Sequence, residues 1–243
     1  MSGHSKWATT KRKKAAIDAK RGKIFTKLIK EITVAARQGG GDIDGNARLR
    51  LVVDNAKAAN MPMDNIERAI KKATGEVEGA AYLELIYEGY GPGGAAILVE
   101  SVTDNKNRTV AEIRHLFSRH GGALGETGSV AWMFEKKGVI TIPHQSKTED
   151  ELMELVLEAG AEDLQKEDDF FVITTAVEDF ENVRKSILNA NLQIENASLQ
   201  WIAKNTVEVT GENAEKLMKM IEAIEDNDDV QNLYTNADFT DVE

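Results

Sequence analysis

The 243-residue chain contains no cysteine. That absence excludes a disulfide scaffold, a thiolate zinc site, a thiol nucleophile and a Cys-x-x-Cys redox pair. Long apolar runs are also missing: Ile97-Leu98-Val99 is typical, far short of the roughly 20 residues that a membrane-spanning helix needs. The opening residues, Met1-Ser2-Gly3-His4-Ser5-Lys6-Trp7, lack the apolar stretch of a secretory signal. There is no Walker loop, no G-x-G-x-x-G fingerprint and no G-x-S-x-G elbow. His4, His115, His120 and His144 show no H-E-x-x-H spacing, so neither a metal site nor a cofactor is expected. His115 and His120 flank a helix end and read as surface or capping groups. Carboxylates such as Asp168-Asp169, Asp226 and Asp228-Asp229 fall at turns and helix ends, and none forms a defensible acid–base pair. The chain is therefore expected to be no enzyme. It reads as a folded cytoplasmic protein of one to three domains, with no membrane partner.

What the chain does have is charge, unevenly placed. The formal net charge of −11 suggests a protein repelled by nucleic acid. Residues 1–75, however, hold 17 Lys/Arg and 7 Asp/Glu, a net of +10, whereas residues 76–243 hold 13 and 34, a net of −21. The first 30 residues alone carry ten basic side chains and one acid, Asp18. A basic module attached to an acidic body is the pattern of a nucleic-acid-binding head.

The head reads as helical. Over residues 20–37, at about 100° per residue, Ile24, Phe25, Leu28, Ile32, Ala35 and Ala36 share one face. Lys20, Lys23, Lys27, Lys30 and Arg37 share the other, and Gly39-Gly40-Gly41 ends the helix. A second helix fits Asn46 to Asn60. Pro62 breaks the chain, and Asp64 with Glu67 predicts a capping box for a third helix. A Lys-rich arm, Lys11-Arg12-Lys13-Lys14, runs ahead. His4, Lys6, Trp7, Lys11, Arg12, Lys13, Lys14, Lys20, Arg21, Lys23, Lys27, Lys30, Arg48 and Arg50 are the candidate nucleic-acid-binding residues. The cations neutralise phosphates, while His4 and Trp7 offer rings to an unpaired base. Trp7 equally suits an anchor onto the head's core. Lys57, Arg68, Lys71 and Lys72 extend the positive surface.

After Gly75-Glu76-Val77-Glu78-Gly79-Ala80 the period changes to that of strands. Tyr82–Tyr87 and Ala95–Val102 read as strands joined by the glycine-rich run 89–94. That run lacks the Lys and Ser/Thr of a phosphate cradle and reads as a connection needing positive φ. Arg108–His120 reads as a helix and Ser129–Phe134 as a strand. Thr103–Thr109 is a capped turn into the helix, or alternatively a polar contact set, with the turn preferred. Residues 138–203 show the order β-α-β-β-α-β, the ferredoxin-like signature. Val207–Val209, Asn213–Ile224 and Val230–Tyr234 are expected to complete the sheet begun at Tyr82. The expected fold is α+β: a basic helical domain over 1–78, a discontinuous α+β domain over 79–137 and 204–243, and the ferredoxin-like domain, 138–203, inserted within it.

Several stretches carry a resemblance. They are Gly3–Trp7, Lys20–Leu28, Asn60-Met61-Pro62-Met63-Asp64-Asn65-Ile66, Tyr87–Gly94, Thr103–Thr109 and Gly121-Gly122-Ala123-Leu124-Gly125. In these the chain resembles the YebC/PmpR family of probable transcriptional regulatory proteins, whose mitochondrial relatives are translational activators of cytochrome c oxidase subunit I. The resemblance departs at Ile43 and Ala47, where the family commonly has prolines, which softens that loop. It implies three domains around a cleft and nucleic-acid binding without catalysis. The family label points to DNA and transcription. The mitochondrial and ribosome-associated relatives point to ribosomal RNA and translation. A third reading is a protein adaptor whose acidic cleft takes a basic partner. The sequence leaves the oligomeric state open.

Overall fold

The computed structural model describes residues 21–75, 81–144, 148–167 and 170–239. Among these, contacts group residues up to 135 with those from 203 onward into one compact unit, and residues 136–202 into another.

The first unit starts with three helices: α1 (Arg21–Gly39), α2 (Ala47–Ala58) and α3 (Met63–Ala73). Ile32, Ala35 and Ala36 of α1 pack with Leu49, Val52, Val53 and Ala56 of α2 and with Ile66 and Ala69 of α3. Asn46 caps α2 by accepting the Leu49 N–H at 3.0 Å. The expected capping box of α3 does not form. Pro62 occupies the cap position and Asp64 falls in the first turn, where its charge still meets the positive helix end.

Strands β1 (Leu83–Tyr90) and β2 (Ala96–Thr103) form an antiparallel hairpin. Gly93 and Gly94, in the turn between them, have φ of 77° and 76°, as the glycine run predicts. Helix α4 (Lys106–Arg119) and the short β3 (Ala123–Leu124) follow, then β4 (Phe134–Pro143), which leads into the second unit. Returning from that unit, the chain forms β8 (Val207–Val209), α7 (Gly211–Glu225), β9 (Val230–Thr235) and β10 (Ala237–Phe239). The sheet order is β3-β1-β2-β9. Ile97, Val99, Ile113, Phe117, Leu217 and Ile221 build its core against α4 and α7.

Two expectations need correction here. Strand β8 does not join that sheet. It pairs in parallel with β10, because β9 takes the place beside β2 and the chain's return lays Ala237–Phe239 along Val207–Val209. Residues 129–134 are no strand but a 3₁₀ turn at Ala131–Met133 running into β4. The N–H groups of Val130 and Ala131 are committed to the carboxylate of Glu88 instead of a neighbouring strand.

The second unit runs through β4, α5 (Glu149–Glu158), β5 (Ala161–Lys166), β6 (Phe170–Thr175), α6 (Phe180–Asn189) and β7 (Asn196–Ala203). Its sheet order, β5-β6-β4-β7, is that of the ferredoxin-like fold. Thr148 and Glu151 form a reciprocal capping box on α5.

Candidate nucleic-acid interface

The candidate residues divide three ways. His4, Lys6, Trp7, Lys11, Arg12, Lys13, Lys14 and Lys20 lie outside the described residues, as does the side chain of Arg21.

The second group turns inward. Lys23 donates to the side chain of Asp226 and, at 3.1 Å, to its carbonyl. Lys27 donates to the Glu225 carbonyl at 3.1 Å. Lys30 donates to the Asp228 carbonyl at 2.7 Å and to Asp229 Oδ1 at 2.8 Å. Three lysines spaced by four and three residues thus meet Glu225, Asp226, Asp228 and Asp229, at and just beyond the end of α7. That end carries exposed carbonyls and the negative pole of the helix. The apolar and basic faces of α1 are therefore both in use. One packs on α2 and α3, the other latches the head to the body. From Ile32 to Ala36 every residue of α1 is buried, and Lys30 itself is only 8% exposed. The apolar face packs as expected except at Ile24, which is exposed, and on the basic face Lys23, Lys27 and Lys30 turn to the body while Arg37 faces solvent. Arg48 pairs with Glu84 of β1, and Arg50 braces the preceding loop through the carbonyls of Ile43 and Asp44. That brace stiffens the loop at Ile43 and Asp44.

Asp229 is the centre of the latch, although in the sequence it shows only as an acid at a helix end. Besides Lys30, its carboxylate accepts from Arg108 at 2.8 Å, Thr109 at 2.8 Å and Thr103 at 3.1 Å. Burial alone pushes this carboxyl upward. The bonds from Arg108, Lys30 and Thr109 outweigh burial and hold it well below the usual range. The Thr103–Thr109 run is thus the capped turn that was preferred, with Asn105 accepting the Arg108 N–H at 3.1 Å. Its hydroxyls also serve the latch. A cleft of about 600 Å³ opens beside it, lined by five carboxylates and by the three cations Lys23, Lys30 and Arg108.

Glu88 is a second residue that the sequence reading passed over. Its buried carboxylate accepts the N–H groups of Gly128, Val130 and Ala131 at 2.7, 2.8 and 2.7 Å. Burial raises its pKa, yet the three donors outweigh that and leave it lowered.

The third group faces solvent. Arg37 at the end of α1, Lys57 on α2, and Arg68, Lys71 and Lys72 on α3 are exposed and form no ion pair with other described residues. The α3 residues fall on one helix face, opposite Ile66, Ala69 and Ala73.

Among the described residues no three His, Asp or Glu converge to hold a metal, and no helix is long and apolar enough to cross a membrane.

A model of the TACO1/YebC N-terminal domain matches residues 5–76, and one of the TACO1/YebC second and third domains matches residues 82–237. The chain belongs to the TACO1/YebC family. A "probable transcriptional regulatory protein" of Chlorobaculum tepidum is 59% identical over 99% of this chain and 96% of its own length. One of Desulfatibacillum aliphaticivorans is 58% identical over 99% and 98%. The crystal structure of a conserved hypothetical protein of Aquifex aeolicus, 46% identical, superposes with a TM-score of 0.87 over 94% of this chain and 95% of that one. The chain thus shares its fold with the Aquifex aeolicus protein over nearly the full length of both.

Proposed function

We propose that this TACO1/YebC protein is a non-catalytic, cytoplasmic regulator of gene expression that binds nucleic acid through its basic head. The observation that carries the reading is the split of the head's cations. Lys23, Lys27 and Lys30 of α1 are consumed by the latch. Arg37, Lys57, Arg68, Lys71 and Lys72 stay exposed and form no ion pair with other described residues, in the same head whose first 20 residues are rich in Lys and Arg. Exposed cations on a helical surface neutralise backbone phosphates and release counterions. The names of the relatives support a regulatory role in transcription, and DNA is the polyanion that such a role would engage.

One observation favours RNA instead. Helices α2 and α3 are joined by a four-residue connection, the spacing of a helix-turn-helix. Yet the first turns of α3, which such a reader presents to base edges, carry Asp64 and Glu67, and its cations lie toward the other end. That distribution suits backbone contact on an irregular RNA at least as well as groove reading. The acidic surfaces of the body face solvent or a basic protein partner in either case.

Crosslinking in cells, followed by sequencing of the bound nucleic acid, tests the proposal. Recovery of promoter DNA supports the transcriptional reading, and recovery of mainly ribosomal RNA supports the translational one. Recovery of neither above background overturns both.

A further inference from the structure

The latch leaves one basic surface on the acidic body without an acidic partner. Helix α4 carries Lys106, Arg108, Arg114 and Arg119 against a single acid, Glu112, a net of +3 in a region whose total is −21. The other long helix of its unit beyond the head, α7, is net −2. Arg108 is bound into the latch, and Glu112 accepts from Asn227 at 2.8 Å. The remaining cations are different. Lys106, Arg114 and Arg119 are exposed and form no ion pair with other described residues.

Helical geometry puts the two arginines together. Ile113 and Phe117 point into the core. At about 100° per residue, Arg114, His115, Ser118 and Arg119 then fall on the opposite side. Lys106, by the same count, falls on the side of Ile113 and Phe117, in the first turn of the helix. Arg114 and Arg119 are five residues apart, about 8 Å along the axis, which is the rise of about two phosphates on one strand of a duplex. The face offers guanidinium forks, an imidazole and a hydroxyl, all of which bond phosphate oxygens. Selection for a soluble acidic surface gives no reason to gather a quarter of the body's 13 cations, unpaired, on one helix.

We infer that the outer face of α4 is a second phosphate-backbone contact surface, engaged by the same nucleic acid that the head binds. The inference rests on the nucleic-acid reading and adds to it a surface outside the basic head. The polyanion is thereby contacted by two elements of the first unit, while the carboxylates of Asp226 and Asp229, just after α7, are neutralised by Lys23 and Lys30.

The test uses the full chain and two probes of 30 nucleotides, a hairpin RNA and a duplex DNA, with binding followed by fluorescence anisotropy from 50 to 300 mM KCl (concentrations about as used for salt-slope work). The variants are Arg114→Glu/Arg119→Glu, its milder form Arg114→Gln/Arg119→Gln, and a control of equal charge change in the second unit, Lys166→Glu/Lys185→Glu. Two lost phosphate contacts should lower the slope of log K against log salt by about 1.4–1.8 and weaken binding about tenfold or more near 100 mM salt. The Gln form should show a smaller loss of the same sign, and the control little change. Wild-type affinity and slope in the α4 variants overturn the inference and leave the head reading standing. An equal loss in the control also overturns it, because the effect is then one of net charge. A wild-type protein whose binding has no salt dependence overturns the nucleic-acid reading and this inference with it.

Discussion

Lys30 Nζ and Asp229 Oδ1 lie 2.8 Å apart, and both side chains are buried although 199 residues separate them in the chain. The pair joins the first helix of the head to the turn before the last long strand of the sheet. A buried carboxylate is tolerable only when its lone pairs are filled. Here Lys30, Arg108, Thr103 and Thr109 fill them. The Lys23 pair at the rim is exposed and worth far less.

Removing Asp229 should therefore be costly. Asp229→Ala leaves Lys30 buried without its counter-charge, and a loss of about 3–5 kcal/mol in urea unfolding is expected. Lys23→Ala should cost no more than about 1 kcal/mol. Equal losses in the two variants would show that burial of the Lys30–Asp229 pair has no energetic weight.

Glu88 predicts a local effect. Glu88→Gln keeps the shape but removes the charge that holds three N–H groups, at an expected cost of about 2–3 kcal/mol. Hydrogen exchange should quicken at the amides of Gly128, Val130 and Ala131, the three groups it binds. Unchanged protection there would mean that another acceptor takes over.

The pH dependence has two opposed parts. Glu31, on α1, is pushed up to about 7 by burial and, against the pull of Arg48, by Glu100 and Glu84. The folded state then holds a proton that the unfolded chain releases at lower pH, so this group's contribution falls as pH rises from about 4.5 to 7. Glu31→Gln should gain about 1–2 kcal/mol over wild type at about pH 8 compared with about pH 5. Asp229 and Glu88 have lowered values and act oppositely. Their contribution is complete above the ordinary carboxylate range and is lost as pH falls through it. Parallel stability–pH curves for wild type and Glu31→Gln would contradict the first part.

Much of this fold is legible in local pattern. The α+β class, the three helices of the head and the β-α-β-β-α-β order follow from periodicity and turn residues. So does the positive φ of Gly93 and Gly94. The latch is not legible, because Lys30 and Asp229 meet only after the whole chain has folded. A helical wheel displays α1 with one free basic face, and no local signal says that a carboxylate corner will cover it. Glu88 was hidden for the same reason, since its partners are backbone groups some 40 residues on. The exposed cations of α3 were read as an extension of the surface. Among the described residues, they are the head's cations without an ion pair, together with Arg37 and Lys57.

The salt dependence of nucleic-acid affinity in a head variant tests the central claim most directly. Wild type should show a steep linear fall of log K with log salt. In Arg68→Glu/Lys71→Glu/Lys72→Glu the slope should be shallower by about 2 and the affinity lower by about two orders of magnitude. A flat slope in wild type, or a variant slope equal to it, would contradict a head that binds nucleic acid through its exposed, unlatched cations.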